Sequence, residues 1–467
     1  MSVKKAAAIS PLMQRLAGYI AASPRKALPE SVVEVTKHHI LDTIAAMVSG
    51  TQLLPGRMAI SYAKTLGGTQ EALVVGSKFV TTAVNAAVAN AMLAHADETD
   101  DSHAPSLTHP GCGIVSAALA MAERHHRDGT AFLRAVTLGY DVSSRLSLSL
   151  GGPEFRSAGH LTHCFGPTFG AAAASAALAR FKPDRVRYVL SYTAQQTGGL
   201  STYPRDVDHI EKAWDFGGMP ARNGVAAATM VAAGCTAVED VFSGERNFYV
   251  AFDESRRIGR KPEPEILGRD LGKNFEIMRT NIKRWSVGSP IQAPLDSLLE
   301  LIRGANVTAD QVEKVVIRVT TAGANTVNNC EMPDICMQQM CAVMLLDGIV
   351  TFESAHDEKR MRDPQVLAMR ERIELLGDAE LDKVAHERQG IAELTLKDGR
   401  QLRHHTKAVR GTAQNPMPRA EVDEKCHHLM APVLGSERAR ALCDTVWEIE
   451  RVKDMRKLRP LLQSRAK

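Results

Sequence analysis

The stretch GAAAASAALARF, residues 170–181, decides the fold class, because its small side chains allow other helices to approach closely. A second stretch of the same kind, GVAAATMVAAG, spans residues 224–234. Helices faced with alanine are typical of the centre of a helical core. Both lie within residues 1–272, where apolar residues recur at helical spacing, and we therefore predict an all-helical domain there.

The pattern changes after this part of the chain. The stretch QVEKVVIRVTT (311–321) alternates apolar and polar residues and predicts a strand, and ICMQQMCAVMLLDG (335–348) predicts a helix. IAELTLKDGRQLRHHT (391–406) predicts a hairpin with its turn at Asp398-Gly399.

These elements predict a smaller α/β lid domain over residues 273–410. A helical period returns after it, so we expect residues 411–467 to pack on the helical domain. The predicted fold class is mainly α with an α+β second domain.

Composition excludes several classes of protein. The 467 residues include 57 basic and 53 acidic residues without a basic block, so we expect no nucleic-acid partner. No run of 18 apolar residues exists, so we expect no membrane partner. The 8 cysteines form no CxxC pair, which is typical of reduced thiols in a cytoplasmic protein.

The densest polar cluster is HADETDDSHAPSLTHPG, residues 95–111, with three histidines and four acids between two apolar stretches. It could bind a metal ion, arrange acid/base groups around an organic acid, or be a solvated loop with acidic caps. Pro110 suits a first helical turn, which puts His109 at the N-cap. Free N–H groups there attract anions and disfavour an imidazolium, so a neutral His109 could exchange a proton beside a carboxylate.

Two later segments repeat the arrangement of polar residues before a helix of small residues. GHLTHCFGPTFGAAAA (159–174) places His160 and His163 there, and HIEKAWDFGGMPARNG (209–224) places Lys212 there. Helix starts that converge with a lysine, an arginine and histidines would bind a compound with several carboxylates.

These segments resemble the MmgE/PrpD family. HADETDDSH resembles the family pattern H-x-x-D-x-D-D-T-H, which a His-Pro-Gly follows, and GHLTHCFGPTFGAAAA resembles its H-x-T-x-x-x-G stretch. KAWDFGGMPARNG resembles its lysine and glycine segment, and the resemblance covers nearly the whole chain. Known members include 2-methylcitrate dehydratase, cis-aconitate decarboxylase and iminodisuccinate epimerase. The resemblance implies a helical domain with an α/β lid, a homodimer, and no metal or other cofactor.

The resemblance also implies site residues. The second histidine of the family pattern corresponds to His160 or to His163. The implied catalytic residues are His109, His160, Lys212, Glu98 and Ser102. The implied substrate-binding residues are Asp97, Asp101, His103, His163, Arg222 and Gln292. In dehydratases and decarboxylases of the family the lid usually supplies a histidine four residues before an aspartate. In SPIQAPLD (289–296) that position is Gln292, which can bind a carboxylate but cannot exchange a proton.

We therefore expect a cofactor-independent lyase that moves a proton at a carbon beside a carboxylate of a small di- or tricarboxylic acid. A hydro-lyase similar to 2-methylcitrate dehydratase is favoured, with an epimerase or a decarboxylase as the alternatives. From other classes, a metal-dependent hydrolase would use His95, Asp100, Asp101 and His103. The third possibility is a non-catalytic protein that binds carboxylates.

Overall fold

The computed structural model describes residues 8–384 and 388–464, which divide into two compact units. The first unit comprises the described residues up to Ala96, together with Asp101–Thr280 and the residues from Val422 onward. The second comprises Asp97–Asp100 and Asn281–Glu421. The first unit is helical and the second contains a four-stranded sheet, which confirms the predicted fold class.

The first unit consists of helices and one short β-ribbon. Its helices up to Thr280 are α1 (Pro11–Ala22), α2 (Glu30–Gly50), α3 (Leu54–Leu66), α4 (Ala83–Ala94), α5 (Pro110–Arg124), α6 (Gly129–Ser149), α7 (Pro153–Ser157), α8 (Thr162–Leu178), α9 (Pro183–Gln196), α10 (Ile210–Ala213), α11 (Met219–Ala232), α12 (Phe248–Ala251), α13 (Ser255–Ile258) and α14 (Glu265–Gly268). The ribbon pairs β1 (Ala72–Leu73) with β2 (Val80–Thr81).

Helix α8 lies at the centre of the first unit, and all of its residues are buried. Helices α5, α6 and α11 pack against it. Glycine makes these approaches possible: a Cβ on Gly170 would come within 2.5 Å of the Gly139 carbonyl oxygen of α6. The small faces that the sequence shows therefore set the spacing of the central helices.

The second unit builds its core between helices and a mixed sheet. Its helices are α15 (Ser289–Ala305), α16 (Thr321–Val327), α17 (Met337–Asp347), α18 (Phe352–Ala355), α19 (Pro364–Arg370) and α20 (Ala379–Asp382). Its strands are β3 (Val312–Val319), β4 (Ile373–Gly377), β5 (Gly390–Leu396) and β6 (Gln401–Thr406).

The strand order is β4-β3-β5-β6, with β3 and β4 parallel and the other pairs antiparallel. Strands β5 and β6 form the predicted hairpin, and Gly399 adopts φ +85 at its turn. Leu394 and Leu396 of β5 face the apolar core of this unit, together with Val315 and Ile317 of β3.

The C-terminal helices are α21 (Arg419–Leu434), α22 (Ser436–Trp447) and α23 (Arg459–Leu462). From Val422 onward the chain belongs to the first unit, where Lys425 forms an ion pair with the buried Asp42 of α2 at 2.5 Å. The unit boundaries, after Thr280 and after Glu421, fall later than the predicted limits at 272 and 410. Across the described ranges no helix is long and apolar enough to cross a membrane.

The contact between α8 and α11 gives a prediction for Gly224. A Cβ at this position would lie 2.5 Å from the Ala172 backbone nitrogen and 2.7 Å from the Ala171 Cβ. We expect Gly224→Ala to lower the free energy of unfolding by about 1–3 kcal/mol, because both neighbours belong to a buried helix. Chemical denaturation followed by circular dichroism measures the change.

Gly18→Ala in α1 is the matched control, because a Cβ there meets nothing within 4 Å. Alanine has the higher helix propensity, so this variant should be neutral or more stable by about 0.5–1 kcal/mol. Equal stabilities of the two variants would contradict the close packing of α8 and α11.

Candidate active site

Helix α5 begins beside a buried carboxylate. His109 is the residue before this helix and Pro110 its first residue, which confirms the predicted N-cap position. Asp101 accepts a hydrogen bond from the backbone N–H of Gly111 at 2.9 Å. This bond satisfies one of the N–H groups that a helix start leaves without an intrahelical partner.

The second oxygen of Asp101 is held by two side chains from distant parts of the chain. The His39 Nδ1 lies 2.8 Å from it, and the Tyr140 hydroxyl donates to it at 2.6 Å. Burial, together with the Asp101 charge, raises the pKa of Tyr140 well above its usual value, so the hydroxyl stays a donor. Asp101, which we expected at the substrate, thus has protein partners on both oxygens and fixes the start of α5.

His103 is also held by the protein. Its Nδ1 lies 2.6 Å from the Ser106 hydroxyl and its Nε2 3.2 Å from a Glu276 oxygen. Burial lowers the pKa of His103 more than the hydrogen bond and charge of Glu276 raise it. These contacts give His103 a role in the loop before α5.

Four buried imidazoles of the first unit form a continuous series, which we call the histidine row. His109 is in its interior: its ring centroid lies 5.1 Å from that of His163 and 5.0 Å from that of His95. His95 in turn lies 5.3 Å from His209. At most 7% of any of these residues is exposed, so the row is shielded from bulk water.

Phe216 separates two members of the row. Its ring stacks on His163 at 3.9 Å and on His95 at 4.6 Å, with interplanar angles of 10° and 17°. It belongs to a single π-helical turn, Trp214–Gly218, between α10 and α11. Such turns insert one extra residue into a helix and are frequent at functional sites. The Cys112 thiol of α5 donates to the Phe216 carbonyl at 3.5 Å.

Two cationic side chains lie over the ring of Tyr203. The Lys212 Nζ lies 5.6 Å from the Tyr203 ring centroid and 5.4 Å from that of Phe216. The Arg156 guanidinium lies 5.3 Å from the Tyr203 centroid. Burial lowers the pKa of His163 well below its usual value, and the charges of its basic neighbours, Arg156 and Lys212 among them, lower it further. The result is a neutral imidazole among cations, a site suited to an anion with several charges.

His160 lies apart from the histidine row. Its Nε2 is 2.8 Å from a Glu254 oxygen, and its ring stacks on Phe155 at 4.3 Å. His163, in the first turn of α8, is the histidine of this segment that contacts His109. The structure thus brings His163, rather than His160, to the row.

Two further predicted residues have other surroundings. The Arg222 guanidinium stacks over Trp214 at 4.7 Å, and its Nε donates to the Asn223 side chain. The Ser102 hydroxyl is buried and has no hydrogen-bond partner within the described ranges. Among the described residues, neither side chain hydrogen-bonds to or stacks on an imidazole of the row.

Asp97 and Glu98 belong to the second unit, where basic side chains hold them. The His356 Nε2 lies 3.0 Å from an Asp97 oxygen. Lys283 donates to the Glu98 carbonyl at 2.8 Å and to its carboxylate at 3.0 Å, and lies 3.8 Å from Asp100. Ion pairs therefore tie the four residues from Asp97 to Asp100 into the second unit.

Gln292 is buried in α15, and its amide bonds to the backbone. Its nitrogen donates to the carbonyls of Trp285 and Val287 at 2.7 and 2.9 Å, and its oxygen accepts from the Trp285 N–H. These bonds order the segment before α15.

Sequence reasoning missed several residues of this site. His95 was considered as a metal ligand only, and no role was given to His209, Phe216, Tyr203 or Arg156. His209 stands three residues before Lys212, so its proximity to a lysine was a usable signal. The others come together only through the tertiary structure.

Comparison with known proteins identifies the family. Residues 14–261 match the MmgE/PrpD N-terminal domain and residues 285–449 match the MmgE/PrpD C-terminal domain. These matches cover most of the chain, so this protein belongs to the MmgE/PrpD family.

Three curated relatives are similar over nearly their whole length. Cis-aconitate decarboxylase-like protein oryM of Aspergillus oryzae is 24% identical, over 93% of this chain and 94% of that protein. Cis-aconitate decarboxylase of Aspergillus terreus is 22% identical, over 93% and 92% of the two chains. Cis-aconitate decarboxylase of Homo sapiens is 23% identical, over 93% and 91%.

The ion pair between His356 and Asp97 gives a prediction for stability against pH. Burial lowers the pKa of His356, but the hydrogen bond and charge of Asp97 outweigh burial and raise it to about 9. The folded pKa therefore exceeds the usual 6.5, so the stabilisation is complete below 6.5 and is lost as pH rises through about 9. His356→Gln should lower the melting temperature relative to the wild type. We expect this decrease to be at least about 2 °C larger at about pH 6 than at about pH 10.

The hydrogen bond between the His356 Nδ1 and the Phe352 carbonyl also raises this pKa, so it adds to the part of the loss that depends on pH. A difference in melting temperature that stays constant across this range would show that the Asp97 pair adds no stability.

The placement of the two histidines around α8 gives a second prediction. His163→Gln should lower turnover about 10²-fold or more, because it removes an imidazole that contacts His109. His160→Gln, the matched control, should keep turnover near that of the wild type, because it lies beside Glu254 outside the row. Steady-state kinetics of both variants measure this, and the reverse order would favour the assignment of His160 that the family resemblance implies.

Proposed function

We propose that this protein is a lyase that moves a proton at a carbon beside a carboxylate of a small di- or tricarboxylic acid. The observation that carries the proposal is the buried histidine row, together with Lys212 and Arg156 over the nearby ring of Tyr203. Imidazoles exchange protons near neutral pH, and cations bind carboxylates. Membership of the MmgE/PrpD family supports the same class of reaction.

In this proposal Lys212 binds one substrate carboxylate and His109 carries the proton. His109 lies at the start of α5, where the helix dipole favours an anion nearby. His163 is neutral and a weak base, so in this proposal it donates or accepts a hydrogen bond and does not carry the proton. The electron pair left on the reacting carbon is delocalised into the adjacent unsaturated carboxylate system.

Decarboxylation is the reaction that we propose to test first, because the relatives above are named for cis-aconitate decarboxylase or likeness to it. The bond between carbon and the leaving carboxylate breaks and carbon dioxide departs. The electron pair of that bond stays on the substrate. A protonated His109 gives its proton to the substrate carbon that carries the delocalised pair. The reaction takes up one proton, which solvent returns to the imidazole.

Dehydration is the second candidate, and the sequence favoured it. One group must remove a proton beside a carboxylate and another must protonate the departing hydroxide. The histidine row favours this reaction because it offers more than one imidazole next to His109.

A metal-dependent hydrolase is less well supported. Of the four ligands considered for it, Asp101 is held by His39 and Tyr140, and His103 by Ser106 and Glu276. Both would have to leave these partners to bind an ion. The assay below is therefore run with and without a chelator: loss of activity with the chelator would favour the hydrolase.

One experiment separates the candidate reactions. The purified protein is incubated with cis-aconitate, citrate or 2-methylcitrate in heavy water, followed by NMR and by carbon dioxide release. Decarboxylation releases carbon dioxide and places deuterium on the product carbon. Dehydration changes the hydroxy acid into the unsaturated acid without carbon dioxide. Wild-type protein that leaves all three acids unchanged and free of deuterium would contradict the proposed function for this group of acids.

The roles proposed for His109 and Lys212 can be tested by replacing each side chain. His109→Gln should keep the fold and much of the binding but lower turnover by about 10²–10⁴-fold. Lys212→Met should weaken substrate binding by a few kcal/mol if the ion pair is well desolvated, on the order of 10²-fold in affinity. Turnover, affinity and melting temperature are measured for both variants.

If His109 were only a helix cap, its loss would lower stability by about 1 kcal/mol without a specific effect on rate. If His109→Gln kept a turnover near that of the wild type, His109 would not be the proton carrier. If Lys212→Met kept the wild-type affinity, Lys212 would not bind a substrate carboxylate.

A further inference from the structure

Arg156 is a cation of the candidate site to which the proposed function gives no contact with the substrate. It lies in the short helix α7 and is half-buried, with its guanidinium 5.3 Å from the centroid of Tyr203. Over residues 8–384 and 388–464 its side chain makes no hydrogen bond or ion pair with a carboxylate. Neighbouring Glu154, the nearest acid in sequence, is instead bound by Arg260. The contact with an aromatic ring therefore leaves the hydrogen-bonding N–H groups of Arg156 available.

Tyr203 connects Arg156 to the catalytic region. The Lys212 ammonium also lies over this ring, at 5.6 Å. The edge of the same ring meets Phe216, with centroids 5.0 Å apart and planes at 76°, and Phe216 stacks on His163. His163 is one end of the histidine row, and Arg156 and Lys212 both lie over the tyrosine ring near that end.

The electrostatics around His163 agree with this geometry. Burial is the largest cause of its lowered pKa, and the charges of Arg156 and Lys212 both contribute. An anion close to both side chains would lower the repulsion between their positive charges. A substrate with two carboxylates separated by a short carbon chain would supply an anion to each cation.

We propose that Arg156, supported by the ring of Tyr203, binds a second carboxylate of the substrate while Lys212 binds the first. This inference rests on the proposed function, because it takes Lys212 to be a carboxylate ligand. The planar guanidinium matches the two oxygens of a carboxylate in a bidentate pair. Arg156 would then select acids with two or more carboxylates over acids with one.

The test measures binding of an acid that cannot react. Tricarballylate has three carboxylates but neither the double bond nor the hydroxyl that decarboxylation or dehydration would use. Isothermal titration calorimetry of the full-length protein compares the wild type with Arg156→Gln and Arg156→Lys. We expect Arg156→Gln to weaken tricarballylate binding by about tenfold or more, and Arg156→Lys to recover part of the loss.

Arg205→Gln is the matched control. Arg205 stands two residues after Tyr203 and is exposed, so this variant loses the same charge close in sequence to that tyrosine. Its affinity should stay within about twofold of the wild type, since long-range charge effects at the surface are screened by salt. Equal losses in Arg156→Gln and Arg205→Gln would show an unspecific charge effect and overturn the inference.

A second readout separates this inference from the proposed function. Arg156→Gln should raise KM for a polycarboxylate substrate far more than it changes kcat, with an unchanged melting temperature. Wild-type affinity in Arg156→Gln, together with weak binding in Lys212→Met, would overturn the second carboxylate contact and leave the proposed function standing. The protein could instead bind tricarballylate tightly, in a way that depends on Arg156, but turn over none of the acids. This result would contradict the proposed reaction and support the carboxylate-binding role of Arg156.

Discussion

The buried carboxylate of Asp101 is the contact on which the geometry of the candidate site depends. It receives the N–H of Gly111 on one oxygen and the side chains of His39 and Tyr140 on the other. A buried carboxylate with fewer partners would be strongly unfavourable, so the three donors and the acid fix one another. The start of α5, and with it His109, is thereby held against α2 and α6.

The central helices set the second constraint. Glycine and alanine bring α8 close to α6 and α11, and this places the first turn of α8 near the start of α5. The π-helical turn then directs Phe216 between His163 and His95. This stacking covers one face of each of these two imidazoles.

The sequence predicted the parts of this arrangement that local rules determine. Pro110 marks the start of α5, so the N-cap position of His109 followed from it. Alternation predicted β3, and Asp398-Gly399 predicted the hairpin of β5 and β6. The helical body followed from the period of its apolar residues and from its small-residue stretches.

The rest depends on contacts between residues far apart in the chain. Asp101 lies 62 residues from His39 in the chain. The sequence of residues 95–111 therefore could not show that Asp101 holds the start of α5 and does not bind a ligand. The choice between His160 and His163 depends on which side of the first turn of α8 faces α5, and that is a matter of tertiary packing. A π-helical turn shifts the helical register by one residue, and helical periodicity alone does not reveal such a shift.

The burial of four imidazoles side by side limits how many protons the histidine row can hold. A buried positive charge is unfavourable, and a charge on one imidazole disfavours a charge on the next. In the proposed function a bound carboxylate favours the protonated form of the imidazole next to it. The substrate itself would therefore help to place a proton on His109, and the adjacent neutral His163 would keep that proton from being shared with a second charged ring. In the proposed function the row would link substrate binding to proton transfer, because the carboxylates that identify the substrate would also stabilise the charge that the reaction needs.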